Sequence, residues 1–378
     1  MSFHMIAFLI VSIVIVPFRS AWSQSWVPPA SFDSLPVVEQ LPDLFMFADG
    51  KRVRTIEDWK QRRKEMKAIL QYYEYGHLPP RPDVVMVEDL KIRPLKVCDA
   101  TEERMTLVIG SQTRLRMRIA LYRPAKAGRL PVIVREEAEL GHLEEVPLLM
   151  KRGFILVEYA REDLDPDKPG VVGPAQKAYP DYDWATLAVW AWGGMRVVDY
   201  LETRKDVDLK RIGILGHSRG GKMALLAGAF DERFALVAAN GSGCGGAGSF
   251  RIQNENSETL GKITEPTRFA YWFHPRLRWF DGKENRLPFD QHFMKAMIAP
   301  RALICTEAAD DFWANPLGSR ATTKQAQRVF DFLNVGNKNA IHIRAGSHDL
   351  TPLDWQAIID FADWQLNGIV PSKVSRFR

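Results

Sequence analysis

Cysteine is scarce in this chain of 378 residues, which contains only Cys98, Cys244 and Cys305. Three thiols cannot build a disulfide framework, and no two of them have the spacing of metal ligands, so at most one bridge is expected. A strong charge of one sign is also lacking, because the formal net charge is +5 and no lysine- or arginine-rich tract stands out. We therefore expect no nucleic-acid partner and neither a metal nor an organic cofactor.

Long hydrophobic runs are lacking too, apart from residues 5–18, which are almost wholly apolar. This run is shorter than a membrane-spanning helix and is interrupted by Pro17. Small residues follow at Ala21 and Ser23, so residues 1–23 are predicted to be a secretory signal peptide. We expect a secreted or periplasmic protein without stable membrane insertion after signal cleavage; the alternative is an uncleaved membrane anchor.

The rest of the chain has an ordinary globular composition, with 46% hydrophobic and 26% charged residues overall. Short β-rich runs alternate with helical patterns from Pro131 onward, which predicts an α/β protein. The expected architecture is a three-layer sandwich, in which helices cover both faces of a mainly parallel sheet. Before it, residues 105–109 and 116–122 form a predicted hairpin. One catalytic domain is expected over residues 24–378, with an N-terminal arm and an insertion at about 241–290.

The most informative motif is the G-x-S-x-G pentapeptide at 216–220, Gly-His-Ser-Arg-Gly. A strand pattern at 211–215 precedes it and a helical pattern follows from Lys222, which is the context of a nucleophile elbow. In such an elbow the glycines permit a sharp turn that lifts the serine oxygen above the edge of the sheet. Ser218 is therefore the candidate nucleophile; the alternative is that it only caps the helix.

A histidine and a carboxylate must accompany such a serine, and the chain order in α/β-hydrolases is serine, acid, histidine. His348 follows the last predicted strand and has both the order and the loop position of a general base. Three carboxylates, Glu307, Asp310 and Asp311, follow the preceding strand, and at least one should orient the imidazole. Spacing favours Asp311.

Other candidate side chains have weaker signals. His217, the variable residue of the elbow, is expected to point away from the site. His274 and His292 are candidates for substrate contact. The aromatic stretch at 269–280 either stacks on sugars or forms a satellite core beneath the insertion.

Further segments accompany the elbow in a consistent order over most of the chain after the predicted signal peptide. They are Gly-His-Ser-Arg-Gly-Gly-Lys at 216–222 and the segments at 41–50, 73–76, 183–187, 231–236, 242–246, 287–292, 298–301 and 311–316. Together these segments resemble the glucuronoyl esterases of carbohydrate esterase family 15. The resemblance implies an α/β-hydrolase fold and a serine carboxylic-ester hydrolase with no cofactor. It also implies a substrate in which an ester joins 4-O-methyl-glucuronic acid on xylan to lignin alcohols.

The resemblance also implies roles for individual residues. Ser218 corresponds to the nucleophile and His348 to the base, while Asp311 matches the acid. Arg219 corresponds to an oxyanion-stabilising residue, which suits a guanidinium because it is always charged. The positions that contact glucuronate hydroxyls in the family correspond to Lys222, Glu258 and Trp313. On the alternative interpretation, the lysine is a solvated helix residue and the tryptophan a core residue. The expected partner is a glucuronate-bearing polysaccharide ester, and we expect a monomer.

Two segments depart from the pattern of the family. Gly241 stands where some members carry the acid in a Glu-Ser-Gly motif, so the acid must come from the later loop that holds Asp311. The segment Arg-Glu-Glu-Ala-Glu-Leu-Gly-His at 135–142 replaces an Asn-Phe-x-Gly-Asn-His pattern, and its three glutamates could repel a uronate. Two alternatives therefore remain open: an esterase for another ester, such as acetylated xylan, and a catalytically silent glycan-binding protein on a hydrolase scaffold.

Overall fold

The computed structural model describes residues 26–377, so the predicted signal peptide at 1–23 lies outside the described residues. Within that range the strands are β1 (Val85–Leu95), β2 (Ala100–Ile109), β3 (Leu115–Pro124), β4 (Leu130–Glu137), β5 (Ile155–Ala160), β6 (Val207–His217), β7 (Leu236–Asn240), β8 (Ala302–Ala308) and β9 (Asn339–Arg344). The α-helices are α1 (Ile56–Leu70), α2 (Val146–Arg152), α3 (Pro174–Ala178), α4 (Thr186–Leu201), α5 (Arg219–Phe230), α6 (Leu260–Ile263), α7 (His292–Ile298), α8 (Pro316–Phe332) and α9 (Pro352–Asn367).

The strands of residues 26–377 form one nine-stranded sheet in the order β1-β2-β3-β5-β4-β6-β7-β8-β9. The first three strands are antiparallel, and β3 pairs antiparallel with β5. Every neighbouring pair from β5 to β9 is parallel. The predicted hairpin, which is β2 and β3, and the predicted mainly parallel sheet are both confirmed.

Apolar side chains alternate between the two faces of this sheet. Along β4, Val132 and Val134 belong to one core cluster and Ile133 to the other, as the period of two in a strand requires. Helices α2 and α9 cover the face of Ile133, while α1, α4, α5, α7 and α8 cover the opposite face. The helix α4 is buried on every side, because its sequence is mostly apolar and its Arg196 and Asp199 pair with each other. These layers confirm the predicted three-layer sandwich.

The segment at 241–290 runs outside the sheet and contains, within the described chain, only α6 and short 3₁₀ helices. Its aromatic residues Trp272, Phe273 and Phe280 are buried in the larger core cluster, and Phe269 and Tyr271 pack against that cluster. The aromatic stretch therefore extends the main core and does not form a separate satellite core. The N-terminal arm packs on this segment: the N–H of Val38 donates to the carbonyl of Asn285 at 2.7 Å. The site is formed by the loops that follow the parallel strands.

Residues 26–377 bear on two expectations, one about membrane insertion and one about disulfide bridges. No helix in this range has both the length and the apolar character needed to cross a membrane. The described thiols Cys98, Cys244 and Cys305 are all free. Burial raises the pKa of Cys244 and of Cys305, which keeps both of them protonated.

Candidate active site

Ser218 lies on the turn between β6, which ends at His217, and α5, which begins at Arg219. Its backbone has φ 56° and ψ −119°, a conformation that a residue with a side chain adopts only when its surroundings enforce it. A Cβ on Gly216 would lie 2.0 Å from the carbonyl oxygen of Gly220. Only glycine fits at that position, so the strand–turn–helix context predicted for the elbow is present.

The serine, histidine and one carboxylate form a continuous chain of contacts. Nε2 of His348 lies 3.0 Å from Oγ of Ser218, and Nδ1 lies 2.6 Å from Oδ2 of Asp311. The other carboxylate oxygen of Asp311 accepts from the N–H of Ala314 at 3.1 Å. The hydrogen bond to Asp311, followed by its charge, raises the pKa of His348 above its ordinary value. A proton held on Nδ1 leaves Nε2 as an acceptor facing the serine.

The two other candidate acids make their hydrogen bonds elsewhere. Oδ2 of Asp310 accepts from the N–H of Gly346 at 3.0 Å, which braces the loop that carries His348. Oε1 of Glu307 accepts from Oγ of Ser319 at 2.6 Å. Glu307 is fully buried, and burial raises its pKa to about 7. Of the three candidate acids, Asp311 is therefore the one whose carboxylate contacts His348.

A cavity of about 180 Å³ opens beside Ser218 and is lined by Lys222, Glu258 and Trp313, among others; we call it the small cavity. Nζ of Lys222 donates to Oε2 of Glu258 at 2.7 Å and to the carbonyls of Ser242 and Cys244. Its side chain is 3% exposed and that of the glutamate 5%, so the lysine is not a solvated helix residue. All three ammonium protons already have acceptors, and a substrate hydroxyl must share or displace one of them.

Arg219 is anchored at the rim of the site by a residue that the sequence analysis missed. Its guanidinium forms an ion pair with Asp167, and its Cζ lies 5.0 Å from the centre of the Trp272 ring. Asp167 also accepts from the hydroxyl of Tyr271 at 2.6 Å and from Nε1 of Trp272 at 2.8 Å. Burial opposes ionisation of Asp167, but these hydrogen bonds outweigh it and lower the pKa. No motif marks Asp167, which lies on the loop between β5 and α3.

A second cavity, of about 570 Å³, also reaches Ser218. We call it the charged cavity because its wall includes Arg135, Glu136, Glu137, Glu144, Glu145 and Arg161. Ser218, Arg219 and His348 line both cavities, which therefore meet at the serine. The acidic segment that replaces the family pattern thus lies directly against the site.

The expectations for three further histidines were wrong. His217 does not point away: its ring centre lies 4.8 Å from that of His348, and it lines the charged cavity. The reason is that β6 continues through His217, whose Nδ1 lies 2.5 Å from Oδ1 of Asn240 on β7. His292 is buried and donates to the carbonyl of Pro42, and His274 lies against Asp183. Neither of these two is among the described residues that line the small or the charged cavity.

The family profile described as "Glucuronyl esterase, fungi" matches residues 108–334, which is more than half of the chain. The chain belongs to the glucuronoyl esterase family. Among its relatives, a carbohydrate esterase of an unknown prokaryotic organism is 30% identical over 87% of this chain and 90% of its own length. A 4-O-methyl-glucuronoyl methylesterase of Podospora anserina is 31% identical over 85% of this chain and 66% of its own length.

Solved structures of glucuronoyl esterases have the same fold. The carbohydrate esterase family 15 enzyme from Caldicellulosiruptor kristjansonii has a TM-score of 0.77 and 31% identity, covering 91% of this chain and 94% of its own. The glucuronoyl esterase from Solibacter usitatus has a TM-score of 0.78 and 29% identity, covering 88% of this chain and 100% of its own. The predicted α/β-hydrolase fold and the predicted class, a serine carboxylic-ester hydrolase, are confirmed.

Proposed function

We propose that this chain hydrolyses esters of 4-O-methyl-glucuronic acid carried on xylan, with Ser218 as the nucleophile. The observation that carries this proposal is the contact chain from Ser218 through His348 to Asp311, placed where the small cavity opens. Glu258 and Trp313 line that cavity and offer a carboxylate and a ring face to a sugar acid's hydroxyls and ring. The Podospora relative, a 4-O-methyl-glucuronoyl methylesterase by name, supports the same acyl group.

Acylation begins when Oγ of Ser218 attacks the ester carbonyl carbon while Nε2 of His348 takes the serine proton. Asp311 keeps the remaining proton on Nδ1 and stabilises the imidazolium that forms. When the tetrahedral intermediate collapses, the alcohol leaves and takes the proton from Nε2. Water then attacks the acyl-enzyme with His348 again as the base, which releases the uronic acid and restores the serine hydroxyl.

The negative charge on the carbonyl oxygen is stabilised at the start of α5. The N–H of Arg219 is the first in that helix, so it has no acceptor within the helix and can donate to the oxyanion. The helix dipole adds positive potential at the same place. The guanidinium of Arg219 supplies a permanent charge, held by Asp167 and Trp272. Loss of one oxyanion donor typically lowers kcat about 100- to 1,000-fold.

The test is hydrolysis of the methyl ester of glucuronic acid and of 4-nitrophenyl acetate by the wild type and by Ser218→Ala. We expect serine-dependent turnover of the glucuronate ester with a much higher kcat/KM than that of the acetate ester. Glu258→Gln should raise KM for the glucuronate ester and leave acetate hydrolysis unchanged, because acetate has no ring hydroxyls. Activity retained by Ser218→Ala overturns the nucleophile, and turnover of acetate alone overturns the substrate.

A second candidate function is hydrolysis of a different ester, such as acetylated xylan. It is favoured by the glutamates of the charged cavity, since Glu136 and Glu137 lie near the serine at which hydrolysis of a glucuronate ester would release an anionic acid. A marine metagenomic family 15 esterase described as promiscuous, with a TM-score of 0.78 and 28% identity to this chain, is a precedent within the fold. The same pair of substrates separates the two functions.

The proposal also covers the location and the assembly of the enzyme. A polysaccharide ester of the cell wall is outside the cytoplasm, which suits export directed by residues 1–23 and a mature catalytic domain at 24–378. The N-terminal sequence of the secreted protein tests the cleavage site. Light scattering on the purified protein tests the expected monomer.

A further inference from the structure

The charged cavity is not used by the acyl part of the proposed substrate. The uronic acid belongs in the small cavity, where Glu258 and Trp313 lie. The charged cavity has a different wall, built from the end of β4, the chain that follows β4 and the first residues after β5. Because the two cavities share Ser218 and His348, the alcohol half of a bound ester has this second space to occupy.

The wall of the charged cavity is held by a network of ion pairs. Nε of Arg135 lies 2.8 Å from Oε1 of Glu137, and its Nη2 donates to the buried Glu158 at 2.5 Å. Directly after the neighbouring strand β5, Arg161 pairs with Glu136. These contacts fix carboxylate oxygens and guanidinium N–H groups around an open volume of about 570 Å³. The wall therefore offers both acceptors and donors in set positions.

Among the described residues that line this wall, eight are charged and Leu350 is the single apolar one. An aromatic alcohol needs an apolar or aromatic face to pack against. Apart from the imidazole rings of His142, His217 and His348, it would meet charged groups here and displace their water without replacing the hydrogen bonds that those groups lose. An alcohol with several hydroxyl groups can donate to the glutamates and accept from the arginines.

We propose that the charged cavity binds the alcohol portion of the ester and selects a hydroxyl-rich alcohol, such as a sugar, over an aromatic alcohol. This inference rests on the proposed function and adds the leaving group to it. It differs from the lignin alcohol that the family resemblance implies. Glu137 supports the assignment, because burial, followed by the charge of Glu136, holds its pKa at about 7 against the charge of Arg135. Near neutral pH this carboxyl can thus both donate to and accept from a hydroxyl.

The test compares two esters of glucuronic acid that share the acyl group, one with the primary hydroxyl of methyl glucoside and one with benzyl alcohol. We expect the wild type to give a kcat/KM about tenfold higher for the sugar ester, the effect of a charge-assisted hydrogen bond. In Glu144→Leu and in Glu137→Leu the ratio of sugar ester to benzyl ester should fall about tenfold. Comparing this ratio between the wild type and each variant cancels the difference in intrinsic reactivity between the two esters.

One control variant and the choice of Glu144 as a test position keep the result interpretable. Glu139→Leu makes the same change three residues before His142, at an exposed residue outside the cavity lining, and should leave the ratio unchanged. Glu144 is also exposed, so Glu144→Leu should fold normally even if Glu137→Leu, which breaks the pair with Arg135, does not.

A second measurement uses acyl transfer from the methyl ester of glucuronic acid to an added alcohol. The acceptor oxygen attacks the acyl carbon, His348 takes the acceptor's proton and passes it to Oγ of Ser218 as that oxygen leaves. Transfer to methyl glucoside should exceed transfer to benzyl alcohol at equal concentration. Preference for the benzyl compounds in the wild type, or an equal fall of both esters in Glu144→Leu, overturns this inference alone. Failure to cleave any of the three glucuronate esters overturns the proposed function and this inference with it.

Discussion

Nδ1 of His348 and Oδ2 of Asp311 are 2.6 Å apart, and this contact joins the loop after β9 to the loop after β8. The acid therefore follows β8 and not β7, the strand that ends just before Gly241. The contact fixes the tautomer of the imidazole and sets the pH at which it can act as a base.

Asp311→Asn should change both the rate and its pH dependence. Asp311 raises the pKa of His348 above 6.5, and only the neutral imidazole accepts the serine proton, so wild-type activity rises with pH through that raised value. Without the carboxylate the pKa falls, and the acidic limb of the kcat/KM profile should move to lower pH. On the plateau, kcat should fall by a factor on the order of 10,000, because the asparagine favours the wrong tautomer.

Asp310→Asn is the matched control for this variant, because Asp310 is the neighbouring carboxylate and bonds only to the N–H of Gly346 among its described partners. Its profile should keep the wild-type shape with a rate within about tenfold, the usual range for a loop contact. If Asp310→Asn, or Glu307→Gln, shows the large loss and Asp311→Asn does not, the acid has been assigned to the wrong residue.

Asp167 should act on catalysis through Arg219. Asp167→Asn keeps the size of the side chain and an acceptor for Tyr271 but removes the charge that holds the guanidinium. We expect kcat to fall about tenfold with little change in KM, the pattern of an interaction made in the transition state. Arg219→Met should cost about 100-fold or more in the wild type and clearly less in the Asp167→Asn background, because coupled residues are not additive.

The decisive measurement for Asp167 and Arg219 is whether the losses caused by their two substitutions are additive. Tyr271→Phe removes one hydrogen bond from the same carboxylate and leaves the ion pair in place, so it should cost less than Asp167→Asn. Additive losses for Asp167→Asn and Arg219→Met would mean that the aspartate acts independently of the arginine.

The elbow and the sheet were predictable because their causes are local. The glycines of the motif avoid steric clashes within a stretch of five residues. The alternation of strand and helix patterns predicts a parallel sheet. Asp311 was chosen on spacing and on the family resemblance, since a loop carboxylate carries no pattern of its own. The roles of Glu258 and Trp313 came from the resemblance alone, because their neighbourhood is made by segments far apart in sequence. The role of Lys222 also came from the resemblance, with its position one turn into the elbow helix as further support.

Residues that meet only through tertiary contacts escaped the sequence analysis. Asp167 and Arg219 are 52 positions apart, and their ion pair depends on where the loop after β5 is laid against the elbow. His217 was misplaced because its orientation depends on Asn240 of the adjacent strand. Glu136 and Glu137 line the charged cavity as expected, whereas Glu139 lies outside its lining, and the arginines that pair with the first two were not foreseen.

Glu74 should make stability depend on pH. It is fully buried, accepts from Nε2 of Gln291 at 2.6 Å, and burial raises its pKa from 4.5 to about 8. Between these two values the folded state binds a proton that the unfolded state does not, so the free energy of unfolding falls as pH rises. Glu74→Gln is neutral at every pH and should lack this fall.

Thermal unfolding of both proteins from about pH 5 to 9 measures the effect. The wild type should lose stability relative to Glu74→Gln as pH rises, and the gap should stop growing above the pKa of Glu74. Glu57→Gln, at an exposed position of α1 whose pKa is lowered, should leave the curve unchanged in this range. Parallel curves for the wild type and Glu74→Gln contradict the assignment.

Gly241 offers a way to move the acid. Its φ is 49°, and a Cβ there would lie 3.4 Å from Nδ1 of His348 and 3.6 Å from Oδ2 of Asp311, which are ordinary contacts. A side chain at 241 therefore has room for its Cβ beside the imidazole, although the positive φ costs about 1–2 kcal/mol for a residue with a side chain. In the wild type, where Asp311 is present, Gly241→Glu also brings two carboxylates together. We expect that single variant to be less stable and no more active.

In the Asp311→Asn background we expect Gly241→Glu to raise activity, because the carboxylate introduced at 241 is then the only one next to Nδ1. The double variant Asp311→Asn/Gly241→Glu should recover kcat/KM at least about tenfold over Asp311→Asn alone, as a charge-assisted hydrogen bond replaces a neutral one. Asp311→Asn/Gly241→Gln has the same shape without the charge and should recover nothing. If both double variants behave alike, a side chain at 241 does not reach the histidine. Recovery by the glutamate alone shows that the site needs a negative charge at Nδ1 and accepts it from either strand.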